Sequence, residues 1–122
     1  MERVFFGIGA VFALLGVGLG AFGSHGLRAH LTPADMATFE TAVRYQLIHA
    51  LGLMAVAWAS TRWPATPVHS AGWLMTAGIV LFSGSLCVLA LGGPRWMGAV
   101  TPLGGVSFLA AWALLAWAAL RG

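Results

Sequence analysis

Charge is scarce in this sequence, and its placement says more than its amount. Only 7% of the 122 residues are Asp, Glu, Lys or Arg, against about 25% in an ordinary soluble domain. Three stretches, 4–24, 70–94 and 96–120, contain no Asp, Glu, Lys, Arg or His at all. Each is long enough to cross a hydrocarbon core of about 30 Å at about 1.5 Å per helical residue. With 60% hydrophobic residues and a mean hydropathy of +0.90, a water-facing surface is missing, which excludes a soluble globular fold. The apolar runs are continuous rather than alternating, which excludes barrel strands. In lipid each crossing segment must satisfy its own amides, so these runs are helices. Cysteine is nearly absent: Cys87 alone excludes an intrachain disulfide and a Cys-only metal site. The net charge of +3 comes from six Arg against Glu2, Asp35 and Glu40, scattered singly at segment ends. That pattern suits topology and headgroup anchoring, and with no basic cluster, nucleic acid is not an expected partner.

What is present predicts an all-α, polytopic membrane protein: a four-transmembrane-helix bundle in one integral membrane domain spanning 1–122, with helices at about 4–23, 33–61, 68–91 and 101–120. The first run mimics a secretory signal, since Ala21 and Gly23 precede Ser24. Its apolar core exceeds the ~7–15 residues of such a signal, so it reads as a retained helix. Gly9, Ala13, Gly16, Gly20 and Gly23 recur at steps of three and four and share one face, where another backbone can approach closely. Gly7 and Gly18 face the other way, which predicts packing on both sides.

After a polar connection, SHGLRAHL, the second helix opens on Thr32-Pro33-Ala34-Asp35: Thr32 as N-cap, Pro33 at N1, Asp35 favoured by the helix dipole. Its first dozen residues form an amphipathic interfacial extension in which Glu40 and Arg44 stand at i,i+4, the spacing of an ion pair. The linker from Arg62 to His69 holds Pro64 and Pro67, with Thr66 read as a further cap. Gly92-Gly93-Pro94-Arg95-Trp96 breaks the third helix, and Thr101-Pro102 reads as the start of the fourth. Gly104-Gly105 then permits close approach, without the pattern of a phosphate loop. Four spans bring both termini to one side, where Trp58, Trp63, Trp73 and Trp117 gather as interface anchors. The arginine distribution weakly favours cytoplasmic termini.

An ionisable group inside the membrane is costly, so His49 is the leading functional candidate. Thr38, Thr41, Tyr45, His49 and Gly52 share a face flanked by Gln46. In the third helix, Ser83-Gly84-Ser85 lies close to mid-span. The candidate polar cluster is therefore His25, Glu40, Arg44, Tyr45, Gln46, His49, Ser83 and Ser85. The candidate packing positions are Gly9, Gly16, Gly20, Gly23, Gly84, Gly104 and Gly105. Two uses compete for the polar set: hydrogen bonds that tie helices together, or a track for a solute or proton. His25 with His49 also suggests a haem or metal site. No HExxH, CxxCH or carboxylate-rich set accompanies them, and neither a metal nor a cofactor is expected.

GAFGSHGL (20–27), FETAVRYQLIHALGL (39–53), FSGSL (82–86) and TPLGG (101–105) together resemble the family known as domain of unknown function 423. These are small bacterial inner-membrane proteins with eukaryotic relatives that include transmembrane protein 256, associated with mitochondria. The resemblance covers nearly the whole chain. It implies a four-helix protein of the inner membrane, and that Gly23, His25, Gly26, Tyr45, Gln46, His49, Ser83, Gly84, Thr101, Pro102 and Gly105 belong to the family's motifs. It supplies no catalytic role.

The leading expectation is a non-enzymatic bundle embedded in the lipid bilayer that acts by self-association, as a homo-oligomer, or as an accessory subunit of a membrane complex. The alternative is a small-solute or proton transporter using His25, Tyr45, His49 and Ser83. A third reading is a haem- or quinone-binding redox subunit.

Overall fold

The computed structural model describes residues 1–63 and 65–121, so Pro64, assigned above to a linker, lies outside the described residues. Helix α1, Glu2–Phe22, runs on into a wider π turn, Gly23–Leu27. Helix α2, Pro33–Ala59, follows as an unbroken rod. The third rod is made of α3, Ala65–Gly78, a second π turn, Ile79–Ser83, and α4, Gly84–Ala90. Helix α5, Met97–Arg121, is the fourth. Three of the rods, Glu2–Leu27, Thr66–Ala90 and Met97–Arg121, are long and apolar enough to cross a membrane. Helix α2 has 27 residues, about 40 Å at helical rise. Its charged opening turns dilute its hydropathy, and it lies packed against α1 on one side and the third rod on the other.

Local chemistry explains the boundaries. The amide of Asp35 donates to Thr32 Oγ1 at 3.1 Å, which closes the first turn of α2 as the Thr-Pro motif predicts. The other two Thr-Pro pairs do not start helices. Thr66 and Pro67 lie inside the first turn of α3, where a proline is tolerated because its missing N–H has no intrahelical partner in any case. Helix α5 begins at Met97, four residues before the expected start, and carries Pro102 within it. Thr101 Oγ1 donates back to the Met97 carbonyl at 3.5 Å, the i−4 bond of a mid-helix threonine rather than of a cap. The polar connection after α1 is also more helical than its composition suggests, since Ser24 to Leu27 lie in the π turn. Between α4 and α5 the chain reverses through Gly92 at φ +93°, a conformation open to glycine.

The rods alternate in direction. Phe5 near the start of α1 packs on Trp73 and His69 of α3, and Glu2 and Arg3 share a groove with Trp58 and Thr61 at the end of α2. Trp58 and Trp63 meet edge to face at 5.4 Å, and the Arg62 and Arg121 guanidinium groups lie over Trp58 and Trp117. This end of the bundle is thus a belt of indoles and arginines, as an interfacial boundary requires.

The main core joins Phe5, Leu53, Val56, Val68, Met75, Ile79, Phe108 and Ala111. A smaller one at the opposite end joins Met36, Phe39, Val43 and Ala90, with Leu27 and Leu31 packed against it. Positions 36, 39 and 43 are one face of the amphipathic extension of α2, while Glu40 and Arg44 point outward. Lipid tails are as apolar as leucine, so what holds these rods together is close contact and interhelical hydrogen bonding rather than removal from water.

Candidate functional site

The glycine stripe on α1 is consumed within the chain. A side chain added at Gly9 would begin 2.7 Å from the Ala50 carbonyl oxygen, and one at Gly16 2.7 Å from Leu47 Cδ2. Gly23 is similarly filled by Phe39, and Gly20 faces Val43. All four therefore seat α1 on α2. Gly7 and Gly18, expected to contact a second neighbour, have nothing within 4 Å. On the third rod the same is true of Gly84, which is not a packing position. Gly104 is one, because it lies against the backbone of Phe82. Gly105 faces open space.

The polar residues of α2 divide by face. Gln46 turns toward α1, where its Nε2 donates to the Phe12 carbonyl at 2.9 Å. His49, 4% exposed, turns toward α5. Its Nδ1 lies 2.7 Å from the Tyr45 carbonyl and its Nε2 2.9 Å from Trp112 Nε1. The indole can only donate, so Nε2 accepts and the ring proton sits on Nδ1, where it is donated to the Tyr45 carbonyl. Both bonds together define a neutral imidazole in one tautomer. Its ring stacks on Phe108 with centroids 3.5 Å apart and planes 8° from parallel. Tyr45 lies nearly parallel to the imidazole at 6.2 Å and tilted against Phe82 at 4.8 Å.

The serines tie the remaining rods. Ser83, at the end of the π turn, donates its Oγ hydrogen to the Ala42 carbonyl of α2 at 2.9 Å, within a contact with α2 that continues through α3 and α4. Ser85 Oγ bonds the Phe82 carbonyl and Thr101 Oγ1, joining α4 to α5. Ser107 Oγ donates to the Leu74 carbonyl at 2.6 Å, joining α5 to α3. Among the described residues every buried side-chain nitrogen and oxygen has a partner. These bonds are the interhelical ties that a membrane bundle uses in place of a hydrophobic driving force.

The rest of the candidate cluster lies apart from this network. His25 is exposed on the π turn after α1, and among the described residues no group of three His, Cys, Asp or Glu stands close enough to hold a metal ion. Glu40 does not pair with Arg44; its Oε1 lies 4.0 Å from Arg28 Nη2, both side chains being half exposed or more. A weak surface pair of this kind is governed by local side-chain reach rather than helical spacing. Trp112, Phe108, Ser107 and the Phe12 carbonyl belong to the network without having been singled out by sequence. An indole at mid-helix in α5 was the one available signal, because a buried Trp N–H needs an acceptor.

Beside His49 a furrow of about 550 Å³ opens between α2 and α5, lined by Arg44, Tyr45, Phe82, Gly105, Phe108 and Trp112 among others. A second hollow of about 290 Å³, wholly apolar in its lining side chains, continues toward Trp58 and Trp63 on the far side of Trp112.

Residues 19–105 match the model of a family described as "Protein of unknown function (DUF423)". The chain belongs to this family. It is 47% identical over 120 residues to the UPF0382 membrane protein YwdK of Bacillus subtilis, covering 98% of each chain. It is 45% identical over 119 residues to the UPF0382 membrane protein SERP0230 of Staphylococcus epidermidis, covering 98% of this chain and 97% of the relative. UPF0382 membrane protein SH2409 of Staphylococcus haemolyticus is 44% identical over 113 residues, with 93% and 92% covered. No solved structure matches the chain. The DUF423 match spans α2, the third rod and the start of α5, the region that holds Gln46, His49, Ser83, Ser85 and Thr101.

Proposed function

We propose that this DUF423 protein is a non-enzymatic helical bundle of the bacterial inner (plasma) membrane that works by lateral association, with copies of itself or as an accessory subunit of a larger membrane complex. The observation that carries this reading is the outer face of α1. Helix α2 covers one side of it, and the opposite side keeps Gly7, Val11, Leu14 and Gly18 in one helical stripe, with Val11 54% and Leu14 72% exposed. Small residues that bracket two aliphatic ones allow a second helix to approach this stripe closely. Meanwhile both nitrogens of His49 are engaged in hydrogen bonds. The geometry therefore gives association more support than a proton path or haem ligation.

Cross-linking in the native membrane, followed by detergent-corrected mass, tests the reading. A dimer, a larger oligomer or a stoichiometric partner is expected. Gly18→Leu, which meets no atom inside the chain, is expected to weaken that assembly while leaving the folded monomer intact. A monomer with no co-purifying partner would remove the proposal.

A further inference from the structure

The seam between α2 and α5 differs from the close contact of α2 with α1. The two helices meet through side chains, chiefly His49 on Phe108 and Trp112, and the space beside that bridge is the furrow of about 550 Å³. Its walls are aromatic and aliphatic, and its one ionic residue is Arg44. Arg44 is the last charged residue of α2 before the apolar part of the helix. It is exposed, and among the described residues no carboxylate pairs with it; Glu40, one turn away, lies against Arg28 instead. From Gly105 to Trp112 the furrow runs about 10 Å along α5 at helical rise. An apolar slot that opens on lipid and ends at an unpaired guanidinium matches an acyl chain joined to a phosphate. The planar N–H fork of arginine suits phosphate oxygens, and its long stem lets the charge reach the headgroup level.

We propose that this furrow binds one anionic phospholipid, with its phosphate on Arg44 and an acyl chain laid along Phe108, Leu109 and Trp112. A zwitterionic lipid fits less well, because no acidic side chain lines the furrow to receive its ammonium group. The proposal is independent of lateral association through α1, which lies on the other side of α2.

Native mass spectrometry of the detergent-purified protein, titrated with dioleoyl phosphatidylglycerol or dioleoyl phosphatidylcholine, reads the site directly. One phosphatidylglycerol per chain is expected, bound in preference to phosphatidylcholine. Arg44→Gln, at an exposed position, is expected to lower the phosphatidylglycerol affinity about fivefold, to the level of phosphatidylcholine. Gly105→Leu grows into the furrow from a position with no neighbour within 4 Å. It is expected to remove both lipids while the helical circular dichroism stays that of the parent. Equal uptake of the two lipids, uptake unchanged in either variant, or a second copy of the chain occupying the seam in place of lipid would overturn the proposal.

Discussion

Helix α2 faces two partners in opposite styles. Against α1 it packs closely, with Gly9 set against the Ala50 carbonyl, Gly16 and Gly23 filled by the Leu47 and Phe39 side chains, and one amide tie from Gln46 to Phe12. Against α5 it stands off, bridged by the His49–Trp112 hydrogen bond and the stacked Phe108 ring, with hollows above and below. Both are helix pairs inside the same few turns of α2, so the difference is one of residue size. Glycine removes the side chains that keep backbones apart, and dispersion contacts then run the length of the pair. Aromatic rings hold the axes apart and confine the contact to one layer. Rigid docking and open space are therefore on opposite faces of a single helix.

The comparison breaks most severely at Gly9. Leucine there has to displace the Ala50 backbone, and the expected cost is about 3 kcal/mol or failure to fold, read as the unfolding free energy in mixed dodecyl sulfate micelles. At the aromatic seam the same measurement is expected to show a smaller loss. Trp112→Phe keeps a ring in place but leaves His49 Nε2 without its donor, for about 1 kcal/mol. Adding His49→Phe to that variant removes the orphaned acceptor while keeping a ring to stack on Phe108, and is expected to recover part of the loss. A strictly additive pair would show that the hydrogen bond does not hold the seam. The smallest effect is expected for Ser83→Ala, about 0.6 kcal/mol, the average for a single interhelical side-chain bond in a membrane.

The rods were legible because lipid leaves a chain few options: absent charge over 4–24, 70–94 and 96–120 forces helices, and the loops had to fall between. The glycine stripe was legible as a packing face but not its partner. Periodicity says which residues share a face, whereas α2 supplies Ala50, Leu47 and Phe39 from a different part of the chain. The same limit applied to the polar cluster. Gln46 and His49 could be placed three residues apart on one helix, yet the Phe12 carbonyl that accepts from Gln46 and the Trp112 indole that donates to His49 are fixed by tertiary packing alone. Glu40 and Arg44 had ideal spacing for a pair, and a competing cation from the π turn, Arg28, lies against Glu40 instead. Thr-Pro dipeptides likewise name a local preference that Thr32 realises and that Thr66 and Thr101 do not.

The π turn at Ile79–Ser83 acts as a phase shift. An α-helix advances about 100° per residue, so the extra residue held in a wide turn rotates everything after it by about that angle. Upstream, α3 presents Gly78 to the Phe108 ring and Leu74 to Ser107, both on α5. At the end of the turn Ser83 reaches Ala42 on α2, and just beyond it Ser85 reaches Thr101 on α5. One rod thereby serves two neighbours that a uniform helix, keeping a constant azimuth, would meet with the wrong side chains. The sequence length between Leu74 and Ser85 is in this sense a setting of the bundle, and removing a single residue from it would dial the lower half of the rod away from both serine contacts.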